Sequence, residues 1–183
     1  MSARDRVRAH LIEHAVRRGQ FTLKSGRPST WFIDAKVTIS SPEVMVDVAT
    51  AVLEHVPANA TAIGGLTMGA DGVSYVTAAV AATRGRPLRA FSVRKEVKDH
   101  GAGGRIAGAL EPGDLVVITE DTVTRGTSLL EAARVVRDAG AEVLVLVALV
   151  DRGGTARALA AAEGWPFEAV FRAPDLGFDY EGA

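Results

Sequence analysis

Glu120 and Asp121 stand side by side, and Thr122, Val123, Thr124, Arg125, Gly126, Thr127 and Ser128 follow at once. Hydroxyls, a glycine and the start of a helical pattern after an apolar run are the parts of an anion site. The first N–H groups of a helix lack partners within it and carry the positive end of its dipole. Two carboxylates beside a bound phosphate would repel it, so they call for a different partner. Sugar hydroxyls donating to them, or Mg²⁺ held directly or through water, would provide one. A ribose 5-phosphate satisfies both halves, whereas the bland alternative is a strand-to-helix loop with surface acids.

A second cluster lies upstream. Arg94, Lys95, Lys98 and His100 fall in one segment that ends in Gly101, Gly103 and Gly104. Glycines raise the entropy cost of ordering a loop, so residues 94–104 are expected to be mobile when empty and to close over an anionic ligand. A third group is Asp151-Arg152 with Gly153 and Gly154 behind an apolar run. The planar guanidinium of Arg152 suits bidentate recognition of a carboxylate. Neither G-x-x-x-x-G-K-[ST] nor G-x-G-x-x-G spacing occurs, which argues against a P-loop or dinucleotide site.

These residues need elements to position them. Apolar, β-branched runs predict strands at residues 61–66, 88–93, 115–119 and 143–150, with a possible edge strand at 167–171. Helical spacing predicts a helix over residues 3–18, closed by Gly19, and another from Pro42 to about His55 with Ser41 as its cap. Further helices are expected at about 72–83, 129–139 and 155–163, and a hairpin turning at Ser25-Gly26 between strand-like runs. Strands alternating with helices through short loops indicate an α/β fold, a doubly wound and mainly parallel sheet flanked by helices. Ligands bind such sheets beyond the carboxyl ends of the strands, and every polar cluster above falls at one. One domain over residues 1–183, with residues 1–36 as an N-terminal helix and hood, is the simplest division.

Composition narrows the classes. The 183 residues carry a net charge of −1, which leaves no electrostatic footprint for nucleic acid or an anionic membrane. Zero cysteines remove disulfides and thiolate metal sites and suit the cytoplasm. The charged N-terminal stretch has no apolar centre of signal-peptide type, and no transmembrane run is expected. His10, His14 and His55 have no ligand-spaced partners, and Trp31 and Trp165 read as packing anchors.

The strand, acid pair and Thr/Gly-rich loop at 115–128 resemble the phosphoribosyl diphosphate signature of type I phosphoribosyltransferases, with Glu120 and Arg125 as departures from its usual form. Arg94-Lys95-Glu96-Val97-Lys98-Asp99-His100-Gly101-Ala102-Gly103-Gly104 resembles the catalytic loop of the orotate phosphoribosyltransferase family. Phe21 to Arg27 is similar to that family's N-terminal segment, and Asp151-Arg152 to its orotate-contacting arginine. The resemblance implies transfer of the phosphoribosyl group to N1 of orotate, giving orotidine 5′-monophosphate and diphosphate, as in pyrimidine biosynthesis. It implies Lys98, His100 and Asp121 as catalytic, with Lys24, Arg94, Lys95, Glu120 and residues 122–128 also holding phosphoribosyl diphosphate. Thr124 and Arg152 would hold orotate, with Phe32 and Ile33 flanking the base, and residues 67–72 would form a diphosphate-binding turn. It further implies Mg²⁺ bound near Glu120 and Asp121 mainly through ligand and water, and a homodimer whose sites are shared. Two rivals are weaker: a purine or uracil enzyme would not need Arg152, and a nucleic-acid-binding regulator would need a basic face.

Overall fold

In the computed structural model, residues 1–22, 28–98 and 104–181 are described. Among them lies a six-stranded sheet with the order β5-β4-β3-β6-β7-β8. It comprises β3 (Ala62–Leu66), β4 (Arg89–Lys98), β5 (Gly104–Gly108), β6 (Leu115–Val123), β7 (Glu142–Asp151) and β8 (Phe167–Arg172). All neighbours pair in parallel except β4 and β5. A separate antiparallel ribbon joins β1 (Val16–Thr22) to β2 (Pro28–Ile33).

Strand alternation divides the core into two halves. Val117 faces one cluster with Ile63, Val147 and Leu149, while Val116 and Ile118 face the other with Leu146 and Ala148. The first cluster is closed by α1 (Ala3–His10), α3 (Met45–Leu53) and α4 (Gly69–Thr83), represented by Val7, Val48, Val52 and Val73. The second is closed by α5 (Thr127–Asp138) and α6 (Ala156–Ala162), through Leu129, Ala133, Val136 and Ala160. Each large aliphatic side chain so buried contributes about 1.5–3 kcal/mol. Both faces are covered, which is why β3 and β6 are nearly continuous apolar runs. At the opposite end from the acid pair, buried Asp114 accepts from Thr61 Oγ1 at 2.7 Å and pairs with Arg89. Burial opposes its charge, yet the Thr61 and Glu111 N–H donors and Arg89 hold it below the usual carboxylate range.

Several expected boundaries move. The first helix ends early: α1 continues as a wide turn over Leu11–Ala15, and Val16 to Arg18 pair with Ile33, Phe32 and Trp31. Backbone pairing with β2 therefore overrides the helical period, and Gly19 lies inside β1 rather than capping a helix. Ser41 caps nothing; its hydroxyl donates to Val37 O, and α3 begins at Met45 after a turn. The intervening α2 (Ala35–Ile39), capped by Asp34, was not expected. Residues 94–98 continue β4, whose register with β5 shifts after Val93 and is matched again at Lys98 with Gly104; residues 99–103 of the expected loop lie outside the described residues. Likewise Thr122 and Val123 belong to β6, paired with Val150 and Asp151.

Candidate active site

The carboxyl ends of β6 and β7 form the floor of a cavity of about 900 Å³. Residues 120–128 and Arg152 line it together, with Phe32, Ile33 and Lys36 from the β2–α2 side. Two hydrogen bonds to backbone carbonyls fix this floor. Arg152 N–H donates to Val123 O at 2.8 Å, and Thr155 Oγ1 donates to Thr124 O at 3.2 Å.

The acid pair is buried, with Glu120 6% and Asp121 5% exposed. Burial, then the charge of Asp121 and a hydrogen bond with it, raise the Glu120 carboxyl to about 8. At neutral pH Glu120 is accordingly protonated. Lys36 Nζ binds Asp121 Oδ2 at a short distance. Burial alone would push this ammonium down, but the bond to Asp121 and its charge hold it above its ordinary value. The resting site thus combines a neutral acid, a carboxylate and an ammonium. Behind them Gly69 opens α4: a Cβ there would stand 1.8 Å from Glu120 Oε1 and 2.9 Å from Asp121 Oδ1. The turn leading into α4 is braced by Asp71, which accepts from Thr67 Oγ1 at 2.6 Å and Ser92 Oγ at 2.7 Å.

On the other side, Gly126 precedes α5 with φ +83°, a left-handed conformation that exposes the first N–H groups of Thr127–Asp138 without a side-chain cap. A Cβ there would also press within 2.9 Å of Ala156 Cβ. The hydroxyls of Thr127 and Ser128 stand at this helix start. Buried Thr122 Oγ1 has no hydrogen-bond partner among the described residues.

Arg152 is 5% exposed. Its Nη2 donates to Ser29 Oγ at 2.8 Å and to Trp31 O at 2.5 Å, and its guanidinium lies 4.8 Å over the Trp31 ring. Its Nε is buried and has no hydrogen-bond partner among the described residues. Burial pushes this guanidinium down from its ordinary value while the charge of Glu181 opposes the change.

The expected residues are only partly assembled. Phe32 is 40% exposed and Ile33 is buried, and both line the cavity. Arg94 and Lys95 do not line this cavity; Arg94 Nη1 reaches back to Gly104 O at 3.3 Å along the β4–β5 arm. Lys24, the Lys98 side chain and His100 lie outside the described residues. Lys36 and Arg17, which also lines the cavity, were not anticipated. Asp34 before Ala35-Lys36 was a usable helix-start signal for the first. Arg17 was hidden by the helical reading of residues 3–18.

A mainly parallel doubly wound sheet, an acid pair at the end of a central strand and a bare helix N-terminus one turn on define the type I phosphoribosyltransferase class. No family model matches the chain. It is 36% identical to the orotate phosphoribosyltransferase of Synechocystis over 167 residues, covering 91% of this chain and 84% of that one. Among solved structures, it is similar to the orotate phosphoribosyltransferase of Mycobacterium tuberculosis in complex with Fe(III) dicitrate, with a TM-score of 0.85 at 32% identity. That match covers 96% of this chain and 99% of the other. The same enzyme in complex with 5-phospho-α-D-ribosyl 1-diphosphate matches with a TM-score of 0.80 at 30% identity, over 96% and 99% of the two chains. The chain belongs to the orotate phosphoribosyltransferase family.

Proposed function

We infer that this chain transfers the 5-phosphoribosyl group of phosphoribosyl diphosphate to N1 of orotate, releasing diphosphate, within pyrimidine biosynthesis. The observation that carries this is the convergence of the acid pair, the α5 N-terminus and Arg152 on one cavity. The 5-phosphate takes the N–H groups and hydroxyls at Gly126, Thr127 and Ser128, where the dipole favours an anion. Glu120 and Asp121 hold the ribose hydroxyls, and residues 122–125 complete the cradle. As the C1–O bond breaks, the ribose ring gains positive charge, and the nearby Asp121 carboxylate favours that change. Arg152 grips the orotate carboxylate, with Thr124 bonding the base.

Glu120 and Asp121 fit Mg²⁺ only as minor contributors. Asp121 already holds Lys36, and no group of three His, Cys, Asp or Glu side chains suited to a metal occurs among the described residues. Ligand oxygens and water would complete its shell, and when bound it would neutralise charge on the diphosphate.

The homodimer with shared sites belongs to this proposal. Arg94 and Lys95 stand off their own cavity, and Val97 (61%), Met68 (71%) and Tyr75 (46%) expose apolar surface. Lys98, His100 and the β4–β5 arm then act on the diphosphate across the interface, and Lys24 reaches it from the hood. A single domain is supported by a core cluster that runs from Val7 and Leu11 through Ile33 to Val147. No helix among the described residues is long and apolar enough to cross a membrane, and the proposed location is the cytoplasm. An absorbance assay of orotate consumption with phosphoribosyl diphosphate and Mg²⁺, beside uracil and hypoxanthine, tests the activity. Consumption of either rival base without orotate would defeat it.

A further inference from the structure

Arg152 lines the acid-pair cavity, and residues that grip it belong to a second, neighbouring hollow. Ser29, Trp31 and Glu181 line a neighbouring hollow and are absent from the lining of the acid-pair cavity, while Arg152 lines the latter. Arg152 Nη2 donates to Ser29 Oγ at 2.8 Å, and Ser29 Oγ lies 2.6 Å from Glu181 Oε1. The serine hydroxyl has one proton. Trp31 O lies 2.5 Å from Ser29 Oγ and also accepts from Arg152 Nη2 at 2.5 Å, but the carboxylate is the stronger acceptor for that proton. Glu181 Oε1 also stands 3.9 Å from Nη2, and Glu181 N–H donates to Arg152 O at 2.9 Å. The segment carrying Glu181 is itself anchored: the Phe178 ring stacks on Trp31 with centroids 4.4 Å apart, and Arg18 lies 4.6 Å over Phe178.

Resting on the orotate reading of this site, we propose that Glu181 is a positioning residue for Arg152. Through Ser29 it holds Nη2 of the guanidinium, and so keeps Arg152 in its place on the acid-pair cavity. It touches no reacting atom.

Steady-state kinetics on the full chain, with orotate and phosphoribosyl diphosphate varied separately, tests this. Glu181→Gln keeps the shape and removes the charge; it should raise KM for orotate about fivefold to tenfold while KM for phosphoribosyl diphosphate and the melting temperature hold. Glu181→Asp should recover part of the loss. Ser29→Ala should raise KM for orotate similarly, and the double variant should be no worse than the weaker-binding single variant, because both break one relay. Hydrogen exchange at Arg152 Nε–H, followed by NMR without substrate, should quicken in Glu181→Gln. A parent chain that leaves orotate untouched sinks the activity reading, and the exchange rate then decides the positioning role alone. Unchanged exchange, equal shifts in both KM values, or additive losses in the double variant would overturn the proposal.

Discussion

Replacing Glu120 with glutamine removes a carboxyl whose charge the fold opposes by burial and by the neighbouring Asp121. In the folded chain its carboxyl is raised to about 8 by burial and by Asp121; unfolded, it ionises near 4.5. Between these values the folded state binds one more proton than the unfolded state. Stability therefore falls as pH rises, by up to about 1.4 kcal/mol per unit, and levels off above the folded value. Across the window the penalty is on the order of 3–5 kcal/mol, a large share of the roughly 5–15 kcal/mol that holds a typical domain together. Urea denaturation of parent and Glu120→Gln, without Mg²⁺ or phosphoribosyl diphosphate, from about pH 5 to about pH 8.5, measures it. The difference between the two proteins cancels the titrating groups that do not interact with Glu120, leaving Glu120 and its neighbours Asp121 and Lys36. The parent should lose stability relative to the variant as pH rises. A difference that stays constant over this range would refute a neutral Glu120.

Three further outcomes follow from the same site. Gly69→Ala should lower kcat/KM for phosphoribosyl diphosphate about a hundredfold and cost about 1–3 kcal/mol in denaturation, since its methyl would overlap Glu120 Oε1. Arg152→Lys should raise KM for orotate about tenfold or more with little change in KM for phosphoribosyl diphosphate, because an ammonium cannot replace a bidentate guanidinium. Lys36→Met should cost about 1 kcal/mol in thermal denaturation, a modest value because the ammonium is about half exposed while its partner Asp121 is buried.

Residue order alone determined much of this protein. Continuous apolar runs such as Val116 to Ile118 can be satisfied only between two covered faces, so the parallel sheet and the site at its carboxyl edge were legible locally. The run from Glu120 to Ser128 was legible for the same reason, because its strand, acids and helix start are neighbours in the chain. Tertiary structure decided what depends on distant partners. Val16 to Arg18 have a helical pattern but find their hydrogen bonds on β2, which carries Arg17 to the cavity. Lys36 meets Asp121 across 85 residues, and Ser29 meets Glu181 across 152. Burial shifts the Glu120 carboxyl and orients Arg152, and burial belongs to no residue by itself: it arises only when separate segments close over one another.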